Sequence, residues 1–316
     1  EFYVFVRGNL FFAQRRFRAA LHELGERLSP EIGLHVEFKV DSIEKLRRSP
    51  VTMYSYDLVA GHKIIFGDES LFDGCEHHLD SSEISPSEAT RLLFNRCSGL
   101  LLVRNLLRGE TLNAEQSDFI GRNLAKAQLG FGDAVLTISG GYHWDCRERH
   151  ERLNQFKPAD APPWLAEARR HHAEGVAFKL HPRRATNSRG EFKLQFAELH
   201  HLGCRIWLWA ESRRLNHDFE TARDYALSHL PKCAESSAIR NCLLNLRTNG
   251  LRALFNGDFF RYPREHLFNA LCLLLWDDEL LEEPGLLQRL QKQLRAGSNR
   301  WEDLMPAYRR LWENYG

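Results

Sequence analysis

The first eight residues, EFYVFVRG, constrain the fold more than any other stretch of the chain. Phe2, Val4 and Val6 alternate with Tyr3 and Phe5, and all five are β-branched or aromatic, the composition of a strand. The strand carries an acid at its head, Glu1, with no lead-in loop, so the reading expects further sequence upstream and a chain that starts inside a domain. FAQRRFRAALHELGERL then sets Phe12, Phe17, Leu21, Leu24 and Leu28 near one helical stripe, opposite Arg and Glu. Pro30 and Gly33 are expected to stop that helix. LHVEFKV (Leu34 to Val40) alternates strictly, with Leu34, Val36, Phe38 and Val40 set against His35, Glu37 and Lys39, and reads as a second strand. SIEKLRRSP reads as a short helix, and DLVAGHKIIFGD ends in a strand-like run before a turn at Gly67 and Asp68.

From Ser85 onward the texture changes to long helices. SPSEATRLLFNRCSGLLLVRNLLRG opens with a serine N-cap, a proline in the first turn and Glu88 close behind, a well-formed start signal. NAEQSDFIGRNLAKAQLGFGDAVLTISG is the next long helix, with a kink expected at Gly130 and Gly132. DAPPW near residue 160 marks a break, RRATNSRGE (Arg183 to Glu191) is the most loop-like interior segment, and the remainder reads as helical to RRLWENYG. The expected fold class is α+β: a small mixed-sheet domain, incomplete at its N-terminus, followed by a large all-helical region. The expected divisions are residues 1–80, 81–158 and 159–316.

Bulk composition narrows the functions available. Lys and Arg number 43 against 42 Asp and Glu, which disfavours a general nucleic-acid binder with its strongly basic footprint. The seven cysteines are odd in number, scattered and never spaced as CxxC, which fits a reducing cytoplasm better than a disulfide framework. The most apolar run, LFNALCLLLW (Leu267 to Trp276), is too short to span a bilayer and reads as a buried helix, so no membrane role is expected. Walker, GxGxxG, GxSxG and HExxH motifs are all missing, which disfavours P-loop kinases, Rossmann dehydrogenases, α/β-hydrolases and zincins.

Two strands each carry a carboxylate in a hydrophobic setting, Glu1 and Glu37. Adjacent strands can aim both off one sheet edge, the oxygen-ligand arrangement that Mg²⁺ needs to bridge a triphosphate. Equally, Glu37 fits the solvent face of an amphipathic strand. His143, Cys146 and His150 at i, i+3, i+7 lack a fourth zinc ligand in register, and CEHH (Cys75 to His78) reads as loop. RDYALSH (Arg223 to His229) fits the short R-x4-6-H pattern of HEPN ribonucleases.

The order EFYVFVRG, helix, LHVEFKVDS, then YDLVAGHKIIFGDESLF resembles the latter half of a nucleotidyltransferase domain of the DNA polymerase β superfamily. In that family a Gly-Ser motif precedes a strand bearing two acids one residue apart, and a third acid lies on a neighbouring strand. Glu1 matches the second acid and Glu37 the third; the Gly-Ser motif and the first acid are not in this sequence. RNLAKAQLGFGDAVLTISGGYHW resembles the helical domain that follows the catalytic domain in kanamycin-type nucleotidyltransferases. There basic residues on the helix reach the nucleotide phosphates, which points to Arg122 and Lys126, four residues apart and expected to share a face with Asp133. A solvated face with one ion pair is the competing reading of that spacing. Tyr142, His143 and Trp144 suit stacking on a base or sugar, or capping of a helical core. The resemblance implies Mg²⁺-dependent transfer of a nucleoside monophosphate from a nucleoside triphosphate to a hydroxyl of a small molecule or protein. Glu1 and Glu37 would hold metal, with Glu37 as metal ligand or base. The alternative it leaves open is a catalytically inactive nucleotidyltransferase-like binding or antitoxin-type protein.

Overall fold

In the computed structural model, which describes residues 2–6, 10–33, 35–234, 236–249, 260–277 and 279–315, FYVFV forms strand β1 (Phe2–Val6). It pairs in parallel with β2 (Phe38–Ser42), in a register running from Phe2 opposite Phe38 to Val6 opposite Ser42. Helix α1 (Leu10–Ile32) makes the crossover that a parallel pair requires. The Phe2 and Phe38 rings stack at 5.3 Å. The second strand begins later than its alternation suggests: its register with β1 starts at Phe38, and before it the Glu37 carbonyl lies 2.8 Å from the Phe2 amide. It ends where Ser42 turns to cap α2 (Ile43–Arg48), its hydroxyl accepting from the Lys45 amide at 3.4 Å. Proline does not stop α1 either. Pro30 lies within its last turn on the exposed side, where one missing amide costs little, and the helix ends before Gly33, whose φ is 71°.

One further expectation for this part is corrected. Thr52 and Ser55 form a capping box that starts α3 (Met53–Ala60), which ends before the expected strand-like run. KIIF forms no strand: Ile65 and Phe66 are 70 % and 98 % exposed. Among the described residues the sheet therefore has two parallel strands and is not mixed. Within the stripe expected on α1, Phe12 is 69 % exposed, while Leu21, Leu24 and Leu28 are half-buried. This unit, Glu1–Ile84, has a small core of Ile43, Leu46, Val59 and Cys75.

The second unit, Ser85–Gly316, is helical throughout its described elements. Ser85 caps α4 (Pro86–Leu107), with Pro86 at its first position. Asn113 and Gln116 form the capping box of α5 (Ala114–Ile138), which runs through Gly130 and Gly132 as one helix. On this pair pack α6 (Cys146–Gln155), α7 (Leu165–Leu180), α8 (Arg189–Leu215), α11 (Pro263–Trp276) and α13 (Trp301–Tyr315), while α9 (Ala222–Leu227), α10 (Ala238–Asn249) and α12 (Pro284–Leu294) pack on α11. One continuous core joins residues on both sides of position 158, from Ala89 through Phe131 and Trp207 to Tyr308. Gly175 of α7 lies so close to α5 that a Cβ there would stand 2.4 Å from the Leu129 amide nitrogen, so the two helices touch backbone to backbone. LFNALCLLLW is buried α11, as its apolarity requires, and no described helix is long and apolar enough to cross a membrane.

Candidate functional site

A cavity rich in cations lies among α4, α5 and α13 of the helical unit. Its capping box starts α5 at a fixed register, and the i, i+4 spacing then turns Arg122 and Lys126 to one side of the helix. From α4 comes Arg96, whose stem crosses α5 at Gly130: a Cβ on that glycine would stand 2.6 Å from the Arg96 Cγ. Helix α13 is fixed on α4 by two polar contacts. The Tyr308 and Ser98 hydroxyls are 2.6 Å apart in the core, and the Trp301 indole donates to Asn105 Oδ1 at 2.8 Å. The helical register then brings Arg309 and Trp312 to the same space. A cleft of about 270 Å³ results, in which these four cations and Trp312 are joined by Asn95, Asn123, Leu102 and Phe119.

Four cations around one small space repel one another unless something negative is there. Two of them have carboxylate partners on their own helices: Arg122 lies 3.3 Å from Asp118, and Arg309 Nε donates to Glu313 at 2.9 Å. Among the described residues neither Arg96 nor Lys126 pairs with an acid. Burial pushes the Lys126 amine below its ordinary range, and the neighbouring Arg96 and Arg122 push it the same way. Burial also lowers Arg96, opposed by the more distant charge of Asp133. Two N–H groups of the cleft residues, Arg96 Nε and Trp312 Nε1, are buried with no acceptor among the described residues, as are Arg189 Nε and the Trp207 and Trp209 indoles elsewhere in the helical unit. The cleft has the chemistry of an anion site.

No family model, curated protein or solved structure matches the chain.

The other residues singled out in the sequence go elsewhere. Asp133 does not share the cleft: it is buried and accepts from Arg149 Nε at 2.7 Å and from His172 Nε2 at 2.9 Å. Burial opposes its charge, but Arg149 and His172 outweigh that and hold the carboxyl below its usual range. Arg149 also donates to the His143 and Trp144 carbonyls, at 2.7 and 2.9 Å, and its guanidinium lies 5.0 Å from the Tyr142 ring. The GYHW loop is thus tied to the core, with Tyr142 buried inside it and Trp144 41 % exposed. His150 Nδ1 faces His172 Nδ1 at 3.4 Å, and no metal cluster forms from His143, Cys146 and His150 among the described residues. Arg223 of the R-x4-6-H pattern is held by Asp277 at 2.7 Å and Glu283 at 2.5 Å.

Glu37 precedes β2, has a side chain 47 % exposed and lies 3.7 Å from Lys39 Nζ. Glu1 lies outside the described residues. Asp41, two positions beyond Lys39 on the same face of the strand, is engaged by Lys45 at 3.6 Å and by the Tyr54 hydroxyl at 3.4 Å. No three His, Cys, Asp or Glu side chains converge among the described residues, so these alone do not make a magnesium site. Arg96, Arg309 and Trp312 were not singled out by sequence. The one available hint was Arg96 itself, a lone cation set between the core residues Phe94 and Cys97.

Proposed function

We propose that this chain belongs to a Mg²⁺-dependent nucleotidyltransferase that transfers a nucleoside monophosphate from a nucleoside triphosphate to a hydroxyl of a small molecule or protein. The observation that carries the reading is the cationic cleft, because the two residues expected to hold the triphosphate, Arg122 and Lys126, line one space with two further cations. In that role Lys126 meets the phosphates as a point charge and the three arginines as planar forks. Glu37 and Glu1 are the carboxylates assigned to metal, with Glu37 alternatively the base that takes the acceptor proton.

A second reading has an observation of its own. Glu37 is half exposed with Lys39 as its neighbour and no cluster of acids around it among the described residues, which favours a catalytically inactive, nucleotidyltransferase-like binding or antitoxin-type protein. One pair of measurements separates the two. A nucleoside triphosphate with Mg²⁺ is expected to raise the thermal midpoint, by preferential binding to the native state, and the shift should shrink in Lys126→Ala. Transfer of labelled nucleoside monophosphate should be lost in Glu37→Gln with the midpoint unchanged. A nucleotide-dependent shift without transfer favours the binding protein, and no shift at millimolar nucleotide removes both the enzyme and the phosphate role of the cleft.

A further inference from the structure

We infer that α13 makes the cleft selective for a nucleotide over a bare polyphosphate, with Arg309 as a phosphate ligand and Trp312 as the wall against which the ligand's ring lies. The inference rests on the reading of this cleft as a nucleotide site, but not on any transfer activity.

Two features argue for it. First, the cleft is divided in chemistry. Arg96, Arg122, Lys126 and Arg309 supply cations, whereas Leu102, Phe119 and Trp312 supply apolar surface. A bare polyphosphate engages only the cations and leaves the apolar wall wet. A ligand that joins phosphates to a flat ring covers both, the usual division of labour in small-molecule sites. Second, α13 is held in place independently of the cleft, through Tyr308 to Ser98 and Trp301 to Asn105. The Glu313 carboxylate fixes the Arg309 guanidinium through Nε and leaves its outer nitrogens without a partner among the described residues. Arg309 and Trp312 are therefore presented on a preorganised helix. Any ring contact adds roughly what one stacked base adds elsewhere, about tenfold in affinity.

The test compares ATP with inorganic tripolyphosphate, both titrated into the full chain by calorimetry in EDTA, so that metal plays no part. The unmutated chain is expected to bind ATP at least tenfold more tightly than tripolyphosphate. Trp312→Leu should bring ATP down to the tripolyphosphate affinity and leave tripolyphosphate unchanged, and Trp312→Phe, which keeps a ring, should retain most of the preference. Arg309→Ala should weaken both ligands by a similar factor. Equal affinity for ATP and tripolyphosphate in the unmutated chain overturns the inference whatever the variants do, and so does a Trp312→Leu chain that folds and keeps the ATP preference. Binding of neither ligand overturns this inference and the nucleotide reading together. ATP preference without nucleotidyl transfer leaves this inference standing and removes only the enzyme.

Discussion

Lys232 is 1 % exposed, and among the described residues no carboxylate pairs with it. Its ammonium donates to the Ser228 carbonyl at 3.3 Å and lies 4.6 Å from the Tyr225 ring centre. Burial is the main cause that pushes its pKa from 10.5 down to about 8. A base whose pKa is lower when folded contributes stability that is present above its unfolded value and is lost as the pH falls through the folded one. Around neutral pH, then, the native state carries a buried, poorly solvated charge. Lys232→Met keeps the volume and removes the charge, and is expected to raise stability at pH 7 by about 1–3 kcal/mol in urea denaturation. The gain should narrow as the pH rises from 8 toward 10, where the unmutated amine becomes neutral in the native state. A variant less stable than the parent at pH 7 would show that the Tyr225 and Ser228 contacts outweigh the cost of burial. Asp133 shows the opposite outcome for a buried charge: with Arg149 and His172 as direct partners it stays ionised and ties three helices together.

At the scale of elements, Gly130 carries the site. Inside a helix, alanine is favoured over glycine by about 1 kcal/mol, yet at this position a methyl would stand 2.6 Å from Arg96 Cγ and 3.1 Å from its Nε. Gly130→Ala is therefore expected to change the thermal midpoint little, as helix gain and crowding offset each other, while displacing Arg96 and weakening tripolyphosphate binding by about fivefold or more. Calorimetry on the folded variant checks this, and unchanged affinity would mean that Arg96 does not meet the ligand. The same helix pair shows what was legible in the sequence. Caps and local spacing are local physics, so the starts of α4 and α5 and the shared side of Arg122 and Lys126 could be read directly. Arg96 and Arg309 stand more than two hundred positions apart and meet only because α13 docks on α4 through single hydroxyl and indole contacts, which no periodicity encodes. Asp133 misled because i, i+4, i+11 spacing places a residue on a face without saying what packs there; Gly175 lets α7 come in close and bury that part of α5. The alternation of LHVEFKV likewise could not show at which residue its pairing with β1 begins.

The two units of the molecule differ in how much apolar surface they remove from water. Ser85–Gly316 has one continuous core that takes side chains from most of its helices. The fully buried hydrophobics of Glu1–Ile84 are few, and α1 leaves Phe11 65 % and Phe12 69 % exposed. Opening free energy follows the burial that must be undone, so regions with small cores open more often and are cut sooner by a protease in limiting amount. Trypsin is well suited to compare them. Arg15, Arg16 and Arg18 lie on the exposed surface of α1, Lys63 is exposed in a segment without regular structure, and no Lys or Arg stands between Lys63 and Arg91. Cleavage at those four positions is expected to precede cleavage at any basic residue from Arg91 to Lys126, and peptide mass spectrometry over a time course reads the order. ATP added at saturating concentration in EDTA should slow cleavage within α4 and α5 further and leave the rate at Lys63 unchanged, because the cleft residues all belong to the helical unit and no metal then joins the ligand to Glu37. Equal early cutting at Lys63 and at Arg91 or Arg104 would show that the helical unit opens as readily as the first, against the difference between their cores.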